Sequence, residues 1–156
     1  MRITKAPRGI LQIDDARITH RNFRGIKTDY NEEGKRNFSL IIPDQDTADM
    51  LIEEGWNVKI KAPRDVDDAP FMYLPVKISF NGRVPNVYLQ SARNRRPLDE
   101  SSIGILDSVD IASVDLDIRP WDWTRRGETG RTAYLYAMCV TQELDRFADR
   151  YYEDEE

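Results

Sequence analysis

The sequence predicts a mainly β protein with two short helices. Three observations lead to this prediction: apolar and polar residues alternate along several segments, turn residues separate these segments, and only two segments carry the caps or the apolar spacing of a helix. The chain has 156 residues, of which 40% are hydrophobic and 33% are charged. It is therefore long enough for one folded unit, and its composition excludes a wholly disordered or collagen-like chain.

The first part of the chain is predicted to form two strands and a helix. Residues 16–25 have the pattern of a strand, and the loop Asn31–Lys35 joins them to a second strand, Asn37–Ile42. A helix follows over residues 44–54, because Asp44 can accept the free N–H groups of its first turn. Gly55 is a suitable residue to end it.

Alternation predicts the remaining strands. The turn Asn81-Gly82 separates two of them, and the loop Thr124–Gly130 joins the last two into a hairpin. Asp99–Leu106 is predicted as a short helix immediately before this hairpin. The further predicted strands are 56–62, 71–80, 84–91, 112–123 and 132–141.

This order predicts an OB-fold-like five-stranded barrel with extra strands or a hairpin and two short helices. In an OB-fold, three strands precede a short helix, and a hairpin of strands four and five follows. Here Asp99–Leu106 would be that helix, and the helix over residues 44–54 would be an insertion. A β-sandwich has the same local signals and stays open as the alternative.

The negative charge is concentrated at the C-terminal end. The formal net charge is −5, and residues 143–156 hold seven acids and two bases, which leaves residues 1–142 neutral. We therefore predict a domain over residues 1–142 and an acidic tail over residues 143–156. Within the domain, residues 17–27 and 81–98 each contain four basic residues and no acid. A neutral domain with such basic segments can bind a polyanion.

Single residues exclude several kinds of site. With one cysteine, Cys139, and one histidine, His20, the chain has no disulfide framework and no ordinary structural zinc site. The alternation around Cys139 predicts a small buried strand residue. No apolar run has the roughly 20 residues of a membrane helix, and no secretory signal precedes the domain. We expect a cytoplasmic protein without a cofactor and without membrane contact.

Aromatic residues interleaved with arginine and lysine are the main functional signal. Trp121 and Trp123 share the alternation of Arg119, opposite the apolar side of their strand. Flat aromatic side chains stack on unpaired bases at roughly 1–3 kcal/mol each, while cations neutralise phosphates, so this pattern predicts single-stranded DNA binding. Aromatics that plug a barrel mouth are the structural alternative. The predicted DNA-binding residues are Arg21, Phe23, Lys59, Lys61, Tyr73, Lys77, Arg83, Tyr88, Arg93, Arg95, Arg96, Arg119, Trp121, Trp123, Arg125 and Arg126.

Two other functions stay open. Asp115 and Asp117 project from one side of their strand and could hold a magnesium ion for phosphodiester cleavage, as in a phage nuclease. A solvated outer face explains the same pair more simply, since the chain has 28 acids. Alternatively, the aromatics could form a protein interface, as in an inhibitor of a host factor. The favoured prediction is a protein without catalytic residues.

Several segments resemble small phage-encoded single-stranded-DNA-binding proteins: Gly34–Pro43, Gly55–Lys59, Leu98–Glu100, Asp117–Trp121 and Ala133–Leu135. The resemblance spans most of the domain and includes no catalytic signature. It implies an OB-fold and a role in phage DNA replication or recombination.

The acidic tail is similar to the tails by which bacterial and phage single-strand binders recruit replication and recombination proteins. It departs from the bacterial pattern, since it ends in Glu156 rather than an aromatic residue and lacks a long Gly/Pro-rich linker. Apolar spacing from Leu144 to Tyr151 also fits a helix docked on the domain. The sequence leaves a homodimer open. The predicted partner-binding residues of the tail are Phe147, Tyr151, Tyr152, Glu153, Asp154, Glu155 and Glu156.

Overall fold

Ten β-strands and one α-helix make up most of residues 1–143, which are the residues that the computed structural model describes. Two 3₁₀ helices, Pro7–Gly9 and Ile103–Asp107, connect strands. The helix α1 spans Gln45–Glu53. The strands are β1 (Arg2–Lys5), β2 (Leu11–Ala16), β3 (Ile18–Asn22), β4 (Arg36–Ile41), β5 (Lys59–Lys61), β6 (Phe71–Ile78), β7 (Asn86–Ser91), β8 (Asn94–Leu98), β9 (Ile111–Arg125) and β10 (Glu128–Gln142).

The described strands form one open, curved sheet in the order β1-β2-β9-β10-β6-β4-β3. β5 adds to β6, and β8 adds to β7. β6 and β7 both run parallel to β10 and share one of its edges: β6 pairs at Ala133 and Tyr134, and β7 pairs over residues 137–141. The mainly β prediction is confirmed, and the order is consistent with an OB-like fold with additional strands.

The hydrophobic core lies on the inner side of this sheet. β9 contributes Val114, Leu116 and Ile118 to it, and the alternating residues between them face outward. The largest fully buried rings are Phe23 and Phe38, which stack with centroids 5.3 Å apart. The inner side is thus filled by side chains, and a binding surface must lie on the outer side or at an edge of the sheet.

The predicted helix is present, with the predicted cap. The Asp44 carboxylate accepts a 2.7 Å hydrogen bond from the Thr47 backbone N–H, and this bond holds the pKa of Asp44 below its usual value. Ala48 and Leu51 bury the inner side of α1. Gly55 follows with φ of 92°, the left-handed conformation that glycine adopts most easily.

Four local features differ from the sequence prediction. β1 and β2 form an N-terminal hairpin that was not predicted, and the arginine-rich residues 94–98 are strand β8. The predicted helix at 99–106 is the 3₁₀ helix Ile103–Asp107. β9 and β10 are longer than predicted, because Arg126 and Gly127 alone form the turn, both with positive φ.

A β-bulge at Tyr136 changes which side of β10 faces the core. Leu135 and Ala137 pair with adjacent residues of β9, so Tyr136 is the extra residue. The alternation shifts by one from this point: Met138 is buried, and Cys139 is only half-buried. The prediction that Cys139 belongs to the core is therefore wrong.

No helix among residues 1–143 is both long enough and apolar enough to cross a membrane.

Candidate nucleic-acid interface

The C-terminal half of β9 presents the two predicted tryptophans to solvent. Trp121 and Trp123 are 57% and 40% exposed, and both belong to the exposed large apolar residues of the described part of the chain. They lie on the outer side of the sheet, in the alternation of Arg119, as predicted. Their rings are therefore accessible and do not plug the barrel.

Gly130 positions the Trp123 ring. It lies directly opposite Trp123 across the hairpin, and a Cβ atom at this position would overlap the indole. The Trp123 Nε1–H donates a 3.2 Å hydrogen bond to the Thr132 Oγ1. Packing on a glycine and a hydrogen bond at its edge together fix the orientation of the ring.

Arg131 links the two strands of the same hairpin on the side opposite the tryptophans. Its guanidinium donates to both carboxylate oxygens of Asp122, at 2.7 and 3.2 Å, and lies 5.4 Å from the ring centroid of Trp56. The hydrogen bond from Arg131 lowers the pKa of Asp122. The tryptophans thus project from a hairpin that is fixed below them.

A row of cationic and aromatic residues crosses the neighbouring strands. The guanidinium of Arg119 lies 4.9 Å from the ring centroid of Tyr134, its partner on β10. Lys77 is the partner of Tyr134 on β6. Tyr134 was not among the predicted site residues, although its place between inward-facing Ala133 and Leu135 indicates an outward direction.

An aromatic cluster continues the row on β6. Phe71 and Tyr73 stack with centroids 5.4 Å apart, and the His20 ring meets both edge-on at 6.1 and 5.7 Å. Lys59 and Lys61 of β5 pair with Tyr73 and Phe71. The alternation of β6 could have identified Phe71 beside Tyr73, whereas His20 comes close only through the fold.

A second group lies where β7 replaces β6 beside β10. The guanidinium of Arg83 lies 3.8 Å from the centroid of Tyr136, and that of Arg95 lies 4.2 Å from Tyr88. Each arginine so placed presents its charge beside a ring face, at a distance typical of cation–π contact. We call the outer side of β5, β6, β7, β9 and β10 the aromatic face; its rings are Phe71, Tyr73, Tyr88, Trp121, Trp123, Tyr134 and Tyr136.

Phe23 and Arg21, both predicted to bind DNA, do not belong to this face. Phe23 is fully buried against Phe38, so the prediction that it stacks on bases is wrong. Arg21 holds the loop beside it: one guanidinium nitrogen donates to the carbonyl oxygens of Leu106 and Val109, both at 2.8 Å. The cause is a register shift after Thr19, which breaks the alternation on which both predictions depended.

The remaining predicted residues occupy different surroundings. Arg125 ends β9 and Arg126 is in the turn at the hairpin tip, both exposed. Arg93 is in the turn between β7 and β8. Arg96 is the partner of buried Leu89 and so lies on the other side of β8 from Arg95. The predicted tail residues from Phe147 to Glu156 lie outside the described residues.

The N-terminal half of β9 is acidic on the same outer side. The Asp115 carboxylate accepts a 2.9 Å hydrogen bond from the backbone N–H of Asp15, at a bulge in β2. Burial, and to a lesser extent the nearby Asp14 charge, raises the pKa of Asp117. Residues 1–143 contain no cluster of three potential metal ligands. The hydrogen bond to the Asp15 backbone gives Asp115 a structural role at the bulge.

Comparison with known proteins shows the family of the chain. The model of the family described as "Putative phage ssDNA-binding domain" matches residues 2–155. The chain belongs to this family. The predicted resemblance to phage single-stranded-DNA-binding proteins is confirmed, and single-stranded DNA is the ligand of the chain.

Solved structures share the fold of this family member. It is 14% identical to the single-stranded DNA-binding protein from bacteriophage Enc34 with a C-terminal truncation, with a TM-score of 0.56 over 93% of this chain and 97% of that chain. It is 16% identical to the Enc34 protein in complex with single-stranded DNA, with a TM-score of 0.55 and the same coverage. A comparison with curated proteins gives no match.

Proposed function

We propose that the aromatic face is the DNA-binding surface and that the protein binds single-stranded DNA without cleaving it. The observation that carries this proposal is the placement of Trp121, Trp123 and Tyr134 beside Arg119 and Lys77 on one side of adjacent strands. The solved complex of the Enc34 protein with single-stranded DNA, on a similar fold, supports single-stranded DNA as the ligand. We further propose a role in phage DNA replication or recombination in the host cytoplasm.

The chemistry of the face suits unpaired nucleotides. Every base has a flat π-face, so the exposed indole and phenol rings can stack on any sequence. The cations neutralise phosphates, which are common to all nucleotides. In a duplex the bases are already stacked on each other and are not free to lie on these rings. Binding should therefore be selective for single strands and weakly selective for sequence.

Titration with oligothymidylate while following tryptophan fluorescence tests the proposal. We expect quenching, because Trp121 and Trp123 are exposed, and an affinity that falls with salt by a logarithmic slope of about −0.7 per phosphate contact. A blunt duplex should bind much more weakly. Equal affinity for the duplex would contradict the assignment of stacking, and metal-dependent cleavage of the oligonucleotide that is lost in Asp115→Asn would establish the nuclease instead.

For the acidic tail, we propose competition with DNA for the cationic groups of the domain. Residues 143–156 hold the excess negative charge of the chain, and a tethered polyanion acts at high effective concentration. A bound DNA strand would release the tail to a replication or recombination protein. Deletion of the tail should therefore strengthen DNA binding, most at low salt, as measured by anisotropy of a labelled oligonucleotide.

A matched control keeps the length of the tail and removes its terminal charge. Glu153, Asp154, Glu155 and Glu156 are changed to Gln or Asn. This variant should bind DNA more tightly than the natural chain, as the deletion does. If both variants bind with the natural affinity at every salt concentration, the tail does not compete with DNA.

A further inference from the structure

A basic cavity lies beside strand β8, and none of the rings of the aromatic face lines it. Its volume is about 610 Å³, and it is bounded by the chain after β3, the start of β4, strand β8 and the 3₁₀ helix Ile103–Asp107. Arg24, Arg36 and Arg96 line it, with Glu100 as the one acidic residue of the lining. Its charged groups thus carry a net positive charge.

Two of the three arginines are held in place by neutral partners. Arg24 donates a 3.1 Å hydrogen bond to the Ser108 Oγ, and Arg36 donates one of 2.6 Å to the Phe23 carbonyl oxygen. Within residues 1–143, no carboxylate forms an ion pair with Arg24, Arg36 or Arg96. Guanidinium groups that are positioned but not neutralised are the usual means by which proteins bind phosphate.

Strand β8 connects this cavity to the aromatic face. Among the described strands it pairs only with β7, so its other edge is open. Consecutive residues of a strand point to opposite sides: Arg95 lies over Tyr88 on the aromatic face, and Arg96 lines the cavity. A polyanion that reaches Arg95 can therefore cross this edge and meet Arg96 next.

We infer that the cavity binds phosphate groups of the same DNA strand after it leaves the aromatic face at the β8 edge. The inference rests on the proposed function and extends it. The bound strand would turn around β8, and the DNA segment in contact with the protein would be longer than the segment that the aromatic face alone covers. The bound group is a phosphate, which we assign to the phosphodiester backbone of DNA. A free phosphate compound carries the same group, and the test distinguishes the two.

The test compares Arg96→Gln and Arg24→Gln/Arg96→Gln with the natural chain, over oligothymidylates from about 4 nucleotides to well beyond the 16 or so that one OB-fold covers. Binding to the shortest oligonucleotides should be unchanged, because they cover only the aromatic face. For long ones, each lost arginine should reduce the logarithmic salt slope by about 0.7, with a several-fold loss of affinity at moderate salt. Arg2→Gln is the matched control, since it removes the same charge from an exposed side chain beside Asp14.

Two results would overturn the inference. In the first, both variants show the same length dependence and salt slope as the Arg2→Gln control, while Trp121→Ala weakens binding. The proposed function then stands, and the cavity does not contact DNA. In the second, the variants bind DNA normally, but inorganic phosphate raises the thermal unfolding midpoint of the natural chain and not of Arg96→Gln. The cavity would then bind a free phosphate. If every variant, Trp121→Ala included, binds DNA as tightly as the natural chain, that result contradicts the proposed function instead.

Discussion

Replacing Trp121 by Ala should weaken single-stranded DNA binding by about 1–3 kcal/mol, or roughly 5- to 150-fold, and Trp123→Ala should have an effect in the same range. Both indoles are exposed on the outer side of β9, so each can stack on a base. Trp121 is the cleaner test, because Trp123→Ala also removes the packing on Gly130 and the hydrogen bond to Thr132. Anisotropy of a labelled oligothymidylate measures the affinity without relying on tryptophan emission.

A matched control separates stacking from general loss of an aromatic surface. Tyr30 is 99% exposed in the loop before β4, and Tyr30→Ala should leave DNA affinity unchanged. Trp121→Phe keeps a flat ring and should retain most of the binding. The site assignment fails if Trp121→Ala and Trp123→Ala both bind like Tyr30→Ala while their thermal unfolding midpoints equal that of the natural chain.

Phe23→Ala should reduce the free energy of unfolding by about 3–5 kcal/mol, a large part of the roughly 5–15 kcal/mol that holds a domain of this size folded. Phe23 is fully buried and stacks on Phe38, so its removal leaves a cavity in the core. Urea unfolding followed by circular dichroism measures this loss. The change acts on folding, because the ring has no accessible surface for a base.

Phe23→Leu keeps most of the buried volume and serves as the companion variant. It should be less destabilised than Phe23→Ala and should bind oligothymidylate with natural affinity while folded. The opposite pattern, natural stability with weakened DNA binding in both variants, would return Phe23 to the binding site and contradict its burial.

Regular alternation and end caps made most of the fold predictable. The cap at Asp44 and the apolar residues of β9 depend only on neighbours in sequence, and both were found as expected. The β1–β2 hairpin was missed because β1 is a short edge strand with mostly exposed residues. The irregular register beyond Thr19 and the bulge at Tyr136 were missed because distant pairing partners fix them.

The residues of the candidate site were also predictable where their strand is regular and not where its register shifts. Trp121, Trp123 and Arg119 lie on a regular strand, and their exposure follows from the pattern that buries Ile118. Phe23 and Arg21 lie beyond an irregular register, where His20 has φ of 50°, so counting alternate residues gave the wrong side. Arg83, Arg95 and Tyr88 were named from the sequence, whereas Tyr136 and the pairing of each arginine with its ring were identifiable only from the fold.

The change from carboxylates to rings along β9 has a consequence for long polynucleotides. Asp115 and Asp117 lie on the outer side of the strand that also carries Trp121, so one end of the same surface repels phosphate. Asp115 and Tyr88 both pair with Cys139 of β10, from its two edges. A bound DNA strand should therefore keep to the β6 and β7 side of β10 and avoid the N-terminal half of β9.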